Sequence, residues 1–555
     1  MQTDFKFPIS YNKKMSLESH IIDDLELVKL NSFSTGDRKD FVDDESIYGK
    51  IFQPDNTMSR MALAEMVKEY SYDKHFIKDT QKIIKKYNGI YTVDLDNVLN
   101  EWNDIKNTKN FKDHYIYYNW SFIEPLNNNN SALQFLTIYT ISSPIFSLCM
   151  PLFLVIVPFL IIKLRGHQVS FSEYYRIFIG LLQNHSVGRA LTSFNSADMN
   201  RKVYLMFSIF FYFFSIYQNI LICLRFIKNI KKIHDCLFLM KDYLHMVTTN
   251  MERFMSLAIK YKTYIGFYND LKYNKEILDS FHVELVKITP LKYNFKKIMQ
   301  LGQVMKQFYQ LYTNEKYNKS ILYSFYFTGY SSNIEKFSKL SLPNCKFSKE
   351  TSFSGMFYPL LINTSHVKNE VSLKKMVISG PNASGKTTML KSSIINIIMS
   401  QQFGAGCYKS ANIKLYKFIH CYLNIPDTSG RDSLFQAEAR RCKEIIECIN
   451  KNKENHFCIF DELYSGTNPE EAVASANAFM KYLSLNENVD CLLTTHYVKL
   501  CEMLKNIVKN YKMETICTGD TFKYTYKLIT GISKVKGGIK ILNDMNYPKE
   551  IIEMT

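Results

Sequence analysis

A short apolar stretch at residues 376–379 breaks into a glycine-bounded loop and then into a helix-forming segment, and this feature restricts the fold more than any other. Gly380 and Gly385 bracket four residues in the spacing G-x-x-x-x-G-K-[ST], which Lys386 and Thr387 complete. Backbone N–H groups in such a loop turn inward around a phosphate, the lysine reaches the β- and γ-phosphates, and the hydroxyl residue binds Mg²⁺. The sequence therefore predicts a nucleotide-binding P-loop with ATP and Mg²⁺ as its ligands.

The segment after the loop supports this prediction. Its apolar residues recur at helical spacing, which predicts that one helix face packs on a sheet while the helix N-terminus holds anionic oxygens. The residues predicted to bind the nucleotide here are Gly380, Pro381, Asn382, Ala383, Ser384, Gly385, Lys386, Thr387 and Thr388.

A second apolar run, HFCIFDEL at residues 456–463, predicts a buried strand that ends in two carboxylates. Phosphoryl-transfer sites need a carboxylate in the Mg²⁺ shell and a group that orients the attacking water. Asp461 is therefore predicted to bind Mg²⁺ together with Thr387. Glu462 is predicted to be the catalytic base that polarises the water.

A third apolar run, residues 491–495, ends at His496. Because the carboxyl ends of parallel strands meet at one edge of a sheet, His496 is predicted to sense the γ-phosphate. The predicted catalytic residues are thus Glu462, His496 and Lys386. Three strand-end signals in the expected order indicate that the glycine-bounded loop is functional.

Several segments in roughly the last 200 residues resemble the MutS family of mismatch-repair ATPases. They are FYPLL and VKNEVSL (within 357–373), GPNASGKTT, QFGAGCYKSA (402–411), SGRDSLFQAE (429–438), FDELYSGTNPEEA (460–472), TTHY (494–497) and YKLITGISKVKGGIKIL (526–542). The resemblance implies an α/β ATPase domain of the ABC type over residues 346–555, with a mainly parallel sheet and a composite site between two subunits. It also implies that Asn369 lies near the nucleotide, that Gln402 belongs to a loop beside the metal, and that Ser433 faces the γ-phosphate of a partner subunit.

Ser433 has a second interpretation. Ser-x-x-Gln at residues 433–436, followed by apolar residues at helical spacing, is typical of a helix capping box. Both interpretations stay open, because a capped helix N-terminus is also what a contact to the phosphate of a partner would need.

Two long stretches, residues 126–162 and 203–224, contain no charged side chain. A helix of about 20 apolar residues crosses the hydrocarbon core of a bilayer, which favours two spans at about 141–162 and 203–224, forming a transmembrane hairpin within 126–225. Two spans would return the chain to one side, so the ATPase domain is predicted to lie on the cytosolic side of a membrane, where ATP is supplied. The alternative is a pair of long buried helices in a soluble core.

The flanking regions, residues 1–125 and 226–345, have helix-like periodicity. The first is predicted to be a helical region in which residues 47–66 weakly resemble the start of the MutS core, with a generic helical bundle as the alternative. The second is predicted to be a helical lever or connector. The sequence therefore predicts an all-α lever and core region with an inserted membrane hairpin, followed by the α/β domain.

The net charge of +17 favours a polyanionic partner, and DNA is the partner that the MutS resemblance implies. An AT-rich genome, which produces Lys-rich chains, would also explain this charge. The twelve cysteines show no zinc-ligand spacing, so Thr387 and Asp461 remain the only predicted metal ligands.

These observations predict a membrane-anchored, MutS-like ATPase that hydrolyses ATP at a composite dimer interface, with a homodimer favoured. Hydrolysis is predicted to be coupled to DNA binding at a membrane, either as in mismatch repair or to tether DNA. The alternative function is an ABC-superfamily ATPase for membrane transport or remodelling. Two spans are few for a transport pathway, and the sequence before Asp461 lacks the L-S-G-G-Q motif of transporters.

Overall fold

A computed structural model of the chain describes residues 3–29, 44–166, 170–184, 198–291, 295–423, 433–518, 521–535, 545 and 547–548. The chain divides into two compact units. The first consists of Met1–Asp96, Met246–Glu276 and Ile321–Thr555, and the second of Asn97–His245 and Ile277–Ser320.

The described helices are numbered in chain order. They are α1 (Ser19–Asp24), α2 (Ile47–Phe52), α3 (Thr57–Met66), α4 (Lys74–Lys86), α5 (Leu95–Asn107), α6 (Phe111–Tyr115), α7 (Asn130–Leu164), α8 (Phe171–Asn184), α9 (Met199–Ala258), α10 (Ile265–Val286), α11 (Phe295–Ile298), α12 (Leu301–Thr313), α13 (Glu315–Lys339), α14 (Lys386–Gln402), α15 (Leu434–Lys451), α16 (Pro469–Ser484) and α17 (Val498–Leu504).

The described strands lie mostly in the C-terminal part of the chain. They are β1 (Lys14–Ser16), β2 (Glu69–Ser71), β3 (Lys346–Phe347), β4 (Thr351–Met356), β5 (Asn369–Leu373), β6 (Lys375–Ser379), β7 (Ser410–Ile413), β8 (Phe418–Tyr422), β9 (His456–Asp461), β10 (Val489–Thr495), β11 (Lys509–Thr518) and β12 (Thr521–Thr530). A helical N-terminal region followed by α/β sheets was predicted, and the structure confirms this order.

Six strands of the first unit form a sheet in the order β12-β11-β6-β10-β9-β8. Neighbours run parallel except β11 and β12, which are antiparallel. Every residue of β10 is buried, as expected for a parallel strand covered on both faces. At the carboxyl edge Thr495 pairs with Ser379 and Thr494 pairs with Asp461, so the residues that follow β6, β9 and β10 lie together.

Helices cover this sheet and form its core. Residues of α15, α16 and α17 pack with inward-facing strand residues in one apolar cluster that includes Cys442, Phe479, Leu500, Phe460 and Leu493. Helix α14 contacts β9 and β10. A smaller sheet in the order β3-β7-β4-β5, mostly antiparallel, was not predicted from the sequence.

The N-terminal residues of the first unit form short helices and one small sheet. Phe52 of α2 stacks on Phe337 with ring centroids 5.4 Å apart, and both rings contact Phe403. Strands β1 and β2 pair antiparallel, which corrects the prediction that the region before the ATPase domain is all-α. Each strand is three residues long, too short for an alternating pattern to predict it.

The second unit is helical in its described part. Phe111 of α6 stacks on Tyr312 of α12 with ring centroids 3.7 Å apart. The Gln134 amide of α7 donates to the Ile298 carbonyl and accepts from the Gly302 N–H, both at 2.8 Å. These contacts fix the first turns of α7 against α11 and α12.

Helices α7 and α9 contain the two stretches without charge. The Asn219 amide donates to the Ser147 hydroxyl, and the Tyr212 hydroxyl donates to the Leu148 carbonyl, so these side chains join α9 to α7. Two segments, Asn130–Met150 and Lys202–Ala258, are long and apolar enough to cross a membrane by length and composition alone. The predicted span at 141–162 lies within α7, and the one at 203–224 lies within α9.

Candidate nucleotide site

The loop between β6 and α14 has a conformation that requires glycine. Gly385 has φ +96°, and a Cβ there would lie 3.1 Å from the Tyr526 ring. A Cβ on Gly380 would lie 2.7 Å from the hydroxyl oxygen of Ser384. That hydroxyl is buried and has no hydrogen-bond partner among the described residues, so the loop presents an unsatisfied donor.

Lys386 starts α14 and is 5% exposed. Its ammonium donates to the carbonyl oxygens of Gly380 at 3.0 Å and Pro381 at 3.2 Å, and it lies 3.5 Å from a carboxylate oxygen of Glu462. A buried ammonium is stable only with such oxygen partners. The same charge, held inside the loop, is suited to bind a phosphate.

Thr387 and Asp461, the predicted metal ligands, are in contact. The Thr387 hydroxyl donates to Asp461 Oδ2 at 2.8 Å, and the Thr494 hydroxyl donates to Asp461 Oδ1. A carboxylate and a hydroxyl side by side are oxygen ligands of the kind that Mg²⁺ prefers. Thr494, which the sequence analysis did not single out, orients the carboxylate.

Glu462 lies directly after β9 with φ +49°, an uncommon conformation for a residue with a side chain. Its carboxylate lies 3.5 Å from Nδ1 of His496 and 3.5 Å from Nζ of Lys386. The hydrogen bond from His496, followed by the charge of Lys386, lowers the pKa of Glu462. The carboxylate is therefore ionised near neutral pH, as a proton acceptor must be.

Most of the predicted site residues line a cavity of about 700 Å³, whereas Gly380, Pro381, Ser384 and His496 are not among its described lining residues. Asn369 is in its wall, where the side-chain amide donates to the Tyr526 carbonyl at 3.2 Å and accepts from the Leu528 N–H at 2.8 Å. The predicted residues that line the cavity are Asn369, Asn382, Ala383, Gly385, Lys386, Thr387, Thr388, Asp461 and Glu462. A cavity of this size accepts a nucleotide.

The position of Gln402 corrects the prediction that it belongs to a loop beside the metal. Gln402 is the last residue of α14, about 22 Å along the helix from Thr387 at 1.5 Å per residue. Its buried amide donates to the Glu69 carbonyl at 2.8 Å and accepts from the Tyr48 hydroxyl. Both the nitrogen and the oxygen of this amide are therefore hydrogen-bonded, and the side chain fixes the end of α14 to the N-terminal residues.

Ser433 is the exposed N-cap of α15. Its hydroxyl accepts from the Gln436 N–H at 3.3 Å, and the Gln436 side chain accepts from the Ser433 N–H at 2.9 Å. The structure thus contains the capping box that the sequence suggested. Ser433 is not among the described residues that line the cavity of its own chain, and its contact with a partner subunit stays a prediction.

Glu438, five residues into this helix segment, was missed by the sequence analysis. It is 2% exposed, and its carboxylate accepts from the Ser465 N–H and hydroxyl, both at 3.1 Å, and from the Gly466 N–H at 3.3 Å. Charged acceptors make stronger hydrogen bonds than neutral ones. Glu438 therefore joins α15 to the loop that follows Glu462. In the sequence, the one signal for this contact is the position of Glu438 on the apolar face of the helix, which indicates a buried side chain.

The residues present fit a nucleoside triphosphate with Mg²⁺. Such a ligand needs a glycine-bounded loop and a lysine for its phosphates, and a hydroxyl and a carboxylate for its ion. The site provides all of these, and the loop also contains a buried hydroxyl without a partner among the described residues. The loop and α14 would hold the phosphates, and Thr387 and Asp461 would hold the ion.

Comparison with known proteins finds similarity over the part of the chain that contains this site. Residues 376–555 match the family model of MutS domain V. The chain is 26% identical over 220 residues to endonuclease MutS2 of Streptococcus agalactiae serotype Ia, and 27% identical over 222 residues to that of Streptococcus uberis. Each match covers 39% of this chain and 28% of the relative.

The similar stretch thus spans less than a third of the length of these relatives. It contains the glycine-bounded loop and both strand ends that carry the predicted catalytic residues. The order of sequence motifs, the geometry of the site and the family match agree. Residues 376–555 of the chain thus carry a domain similar to domain V of the MutS family.

Proposed function

We propose that this chain binds and hydrolyses ATP at the site around Lys386 and Asp461. The observation that carries the proposal is the convergence of Lys386, Thr387, Asp461 and Glu462 at one cavity, from segments that are 74 residues apart between Thr387 and Asp461. A hydroxyl, two carboxylates and a buried lysine in this arrangement have no evident role in packing alone.

Each residue has a distinct task in the proposed reaction. The loop N–H groups and Lys386 bind the phosphates, and Asn369 supports the cavity wall. Mg²⁺, when held by Thr387 and Asp461, neutralises charge on the phosphates. Glu462 accepts the proton of the attacking water, and His496, 3.5 Å from Glu462, holds that carboxylate in place and would sense the γ-phosphate.

We further propose that the working site is composite and that Ser433 completes the site of a second subunit. Two features support this. Ser433 is exposed at the N-terminus of the 18-residue helix α15, and it lies outside the cavity lining of its own chain. An exposed, capped helix N-terminus attracts a phosphate from outside.

Mixing two inactive variants should restore activity if the site is composite. Lys386→Ala spoils the loop of one chain, and Ser433→Arg blocks the contact that the other chain supplies. Random subunit exchange in a two-fold dimer makes half the dimers mixed, each with one intact site, so we expect about a quarter of wild-type turnover. Phosphate release by the mixture, after exchange is verified with tagged chains, measures this.

The matched control is Ser433→Arg mixed with the double variant Lys386→Ala/Ser433→Arg, in which no intact site can form. It should stay as inactive as either single variant. If the test mixture is no more active than this control, Ser433 is a helix cap and the composite site is wrong. The separate proposal that the chain hydrolyses ATP would then be tested by Lys386→Ala alone, which should be inactive.

We propose that residues 141–162 and 203–224 cross a membrane as a hairpin, with the ATPase domain on the cytosolic side. Support comes from the large apolar side chains that α7 and α9 expose, among them Ile145 at 65%, Phe211 at 62% and Phe210 at 60%. Contiguous exposed apolar surface on this scale marks a lipid or partner contact. The Asn219 and Tyr212 contacts to α7 would satisfy polar groups within the bilayer.

DNA is the proposed ligand of the whole protein, because residues 376–555 match MutS domain V and the chain carries a net charge of +17. Binding through phosphates should weaken as salt rises, with log K falling by about 0.9 for each phosphate contact per unit of log salt. We expect such a slope in anisotropy titrations of the detergent-solubilised chain with duplex DNA. Salt-independent or undetectable binding would contradict DNA as the ligand.

A further inference from the structure

Two buried histidines lie side by side on the edge of the six-stranded sheet, away from the nucleotide cavity. His420 of β8 and His456 of β9 are 5% and 0% exposed. The parallel register pairs His456 with Phe418, two residues before His420, so both rings lie on the same face of the sheet. His420 Nε2 is 3.1 Å from His456 Nδ1.

A cysteine completes the group. Cys448, in the last turn of α15, places its Sγ within 4.8 Å of a ring nitrogen of each histidine. The thiol is half-buried, so this corner of the group is accessible to solvent. Among the described residues, this is the one group of histidine, cysteine and acidic side chains with such spacing.

The distances fit a tetrahedral ion with nitrogen and sulfur ligands. Zinc–nitrogen bonds of about 2.0–2.1 Å place two ligand nitrogens about 3.3 Å apart, close to the observed 3.1 Å. A zinc–sulfur bond of about 2.3 Å places sulfur about 3.6 Å from each nitrogen, so the Cys448 side chain must move inward by no more than about 1.2 Å.

The surroundings of His456 match those of a metal ligand. Its Nε2 is 3.2 Å from the Asn452 carbonyl oxygen and donates to it, which leaves the Nδ1 lone pair directed at His420. Metal-bound histidines commonly use their second nitrogen in this way, which fixes the ring and its tautomer. The Asn452 amide also donates to the Cys448 carbonyl at 2.9 Å and lies 3.7 Å from Sγ.

Both rings are uncharged, and His420, whose Nε2–H donates to His456 Nδ1, would bind an ion through Nε2 once its proton moves to Nδ1. Burial, followed by the neighbouring His456, lowers the pKa of His420 to about 3, and burial also lowers the pKa of His456. Neutral imidazole is the ligand form. The thiol of Cys448 would bind an ion as the thiolate and release its proton on binding.

We propose that His420, Cys448 and His456 bind one zinc-class divalent cation, with water in the fourth position. Nitrogen and sulfur donors select Zn²⁺ over Mg²⁺, so this site is chemically distinct from the Thr387–Asp461 pair. The bound ion joins the edge strand β8 and the strand β9 to the last turn of α15. The proposal does not depend on ATP hydrolysis or on the membrane hairpin.

Metal content and cobalt spectroscopy of the full-length chain test this site. The chelator-treated protein, titrated with Zn²⁺, should take up one ion per chain, and Co²⁺ in its place should give a sulfur-to-cobalt charge-transfer band. Cys448→Ala should abolish the band and weaken zinc binding by at least about 10- to 100-fold, the loss typical of even an outer partner of a metal ligand. His420→Phe, which keeps an aromatic ring but removes both nitrogens, should weaken binding equally.

Cys442→Ala is the matched control, because Cys442 lies on the same helix but is buried in the apolar cluster. It should keep zinc binding and the cobalt band. Alkylation of the wild-type chain gives a second measurement that needs no variant: zinc should slow the alkylation of Cys448. No uptake of zinc, or uptake unaffected by Cys448→Ala and His420→Phe, would mean that the two histidines are only a hydrogen-bonded core pair.

Discussion

Glu462→Gln is expected to lower the rate of ATP hydrolysis by at least about 10²-fold while ATP still binds, because a positioned general base contributes about 10² to 10⁴. Glutamine keeps the shape and the oxygen that contacts His496, but it cannot accept a proton from water. Single-turnover hydrolysis and equilibrium binding of a fluorescent ATP analogue measure the two effects separately.

Glu470→Gln is the matched control for this substitution. Glu470 lies eight residues further on, exposed in the first turn of α16, and the same chemical change there should leave turnover unchanged. Lys386→Ala should differ from both by weakening ATP binding itself, since the buried ammonium is lost from the loop. Equal turnover in wild-type and Glu462→Gln protein would remove Glu462 from the role of base.

Phe210→Arg with Phe213→Arg is expected to move the chain from the membrane fraction to the soluble or aggregated fraction. Both rings are 60% exposed on α9. Thirteen Leu, Ile, Phe and Val residues in 203–224 favour insertion by about 4 to 8 kcal/mol, and two central arginines oppose it by about 5 to 7 kcal/mol. Alkaline carbonate extraction followed by immunoblotting reads the distribution.

Val283→Arg with Val286→Arg is the matched control. It adds the same charges to helical positions of α10 that are 55% and 58% exposed, and it should leave the membrane fraction unchanged.

Protease mapping of sealed vesicles tests the orientation of the wild-type chain. Protease should cut the ATPase domain from the cytosolic side only. Complete recovery of the wild-type chain in the carbonate supernatant would contradict the hairpin. The exposed rings would then have to be covered by protein instead.

The carboxyl edge of the sheet could be predicted because its signals are local. Each of β6, β9 and β10 contains a short apolar run, and these runs lead into the glycine-bounded loop, into Asp461 and Glu462, and into His496. Parallel strands place their carboxyl ends together, so spacing along the chain was enough to bring Lys386 and Asp461 to one site. The roles of these residues in catalysis stay predictions that the substitutions above test.

Long-range partners could not be predicted in the same way. Gln402 is held by Tyr48, which lies 354 residues earlier, and no local pattern connects them. The three ligands of the proposed zinc site are separated by 28 and 8 residues and sit on two strands and a helix, so their meeting depends on the register of β8 against β9. Such contacts are decided by tertiary packing rather than by periodicity.

The hydrogen bonds of Glu438 have a mechanical consequence. Three donors of the loop after Glu462 are bound by one carboxylate on the helix that starts at Ser433. A pull on Ser433 by a neighbouring molecule must therefore either break all three bonds, at about 1.5 to 3 kcal/mol each, or drag the loop with the helix. The carboxylate therefore couples the helix to the loop, and a displacement of Ser433 that keeps these bonds would also displace the loop beside Glu462.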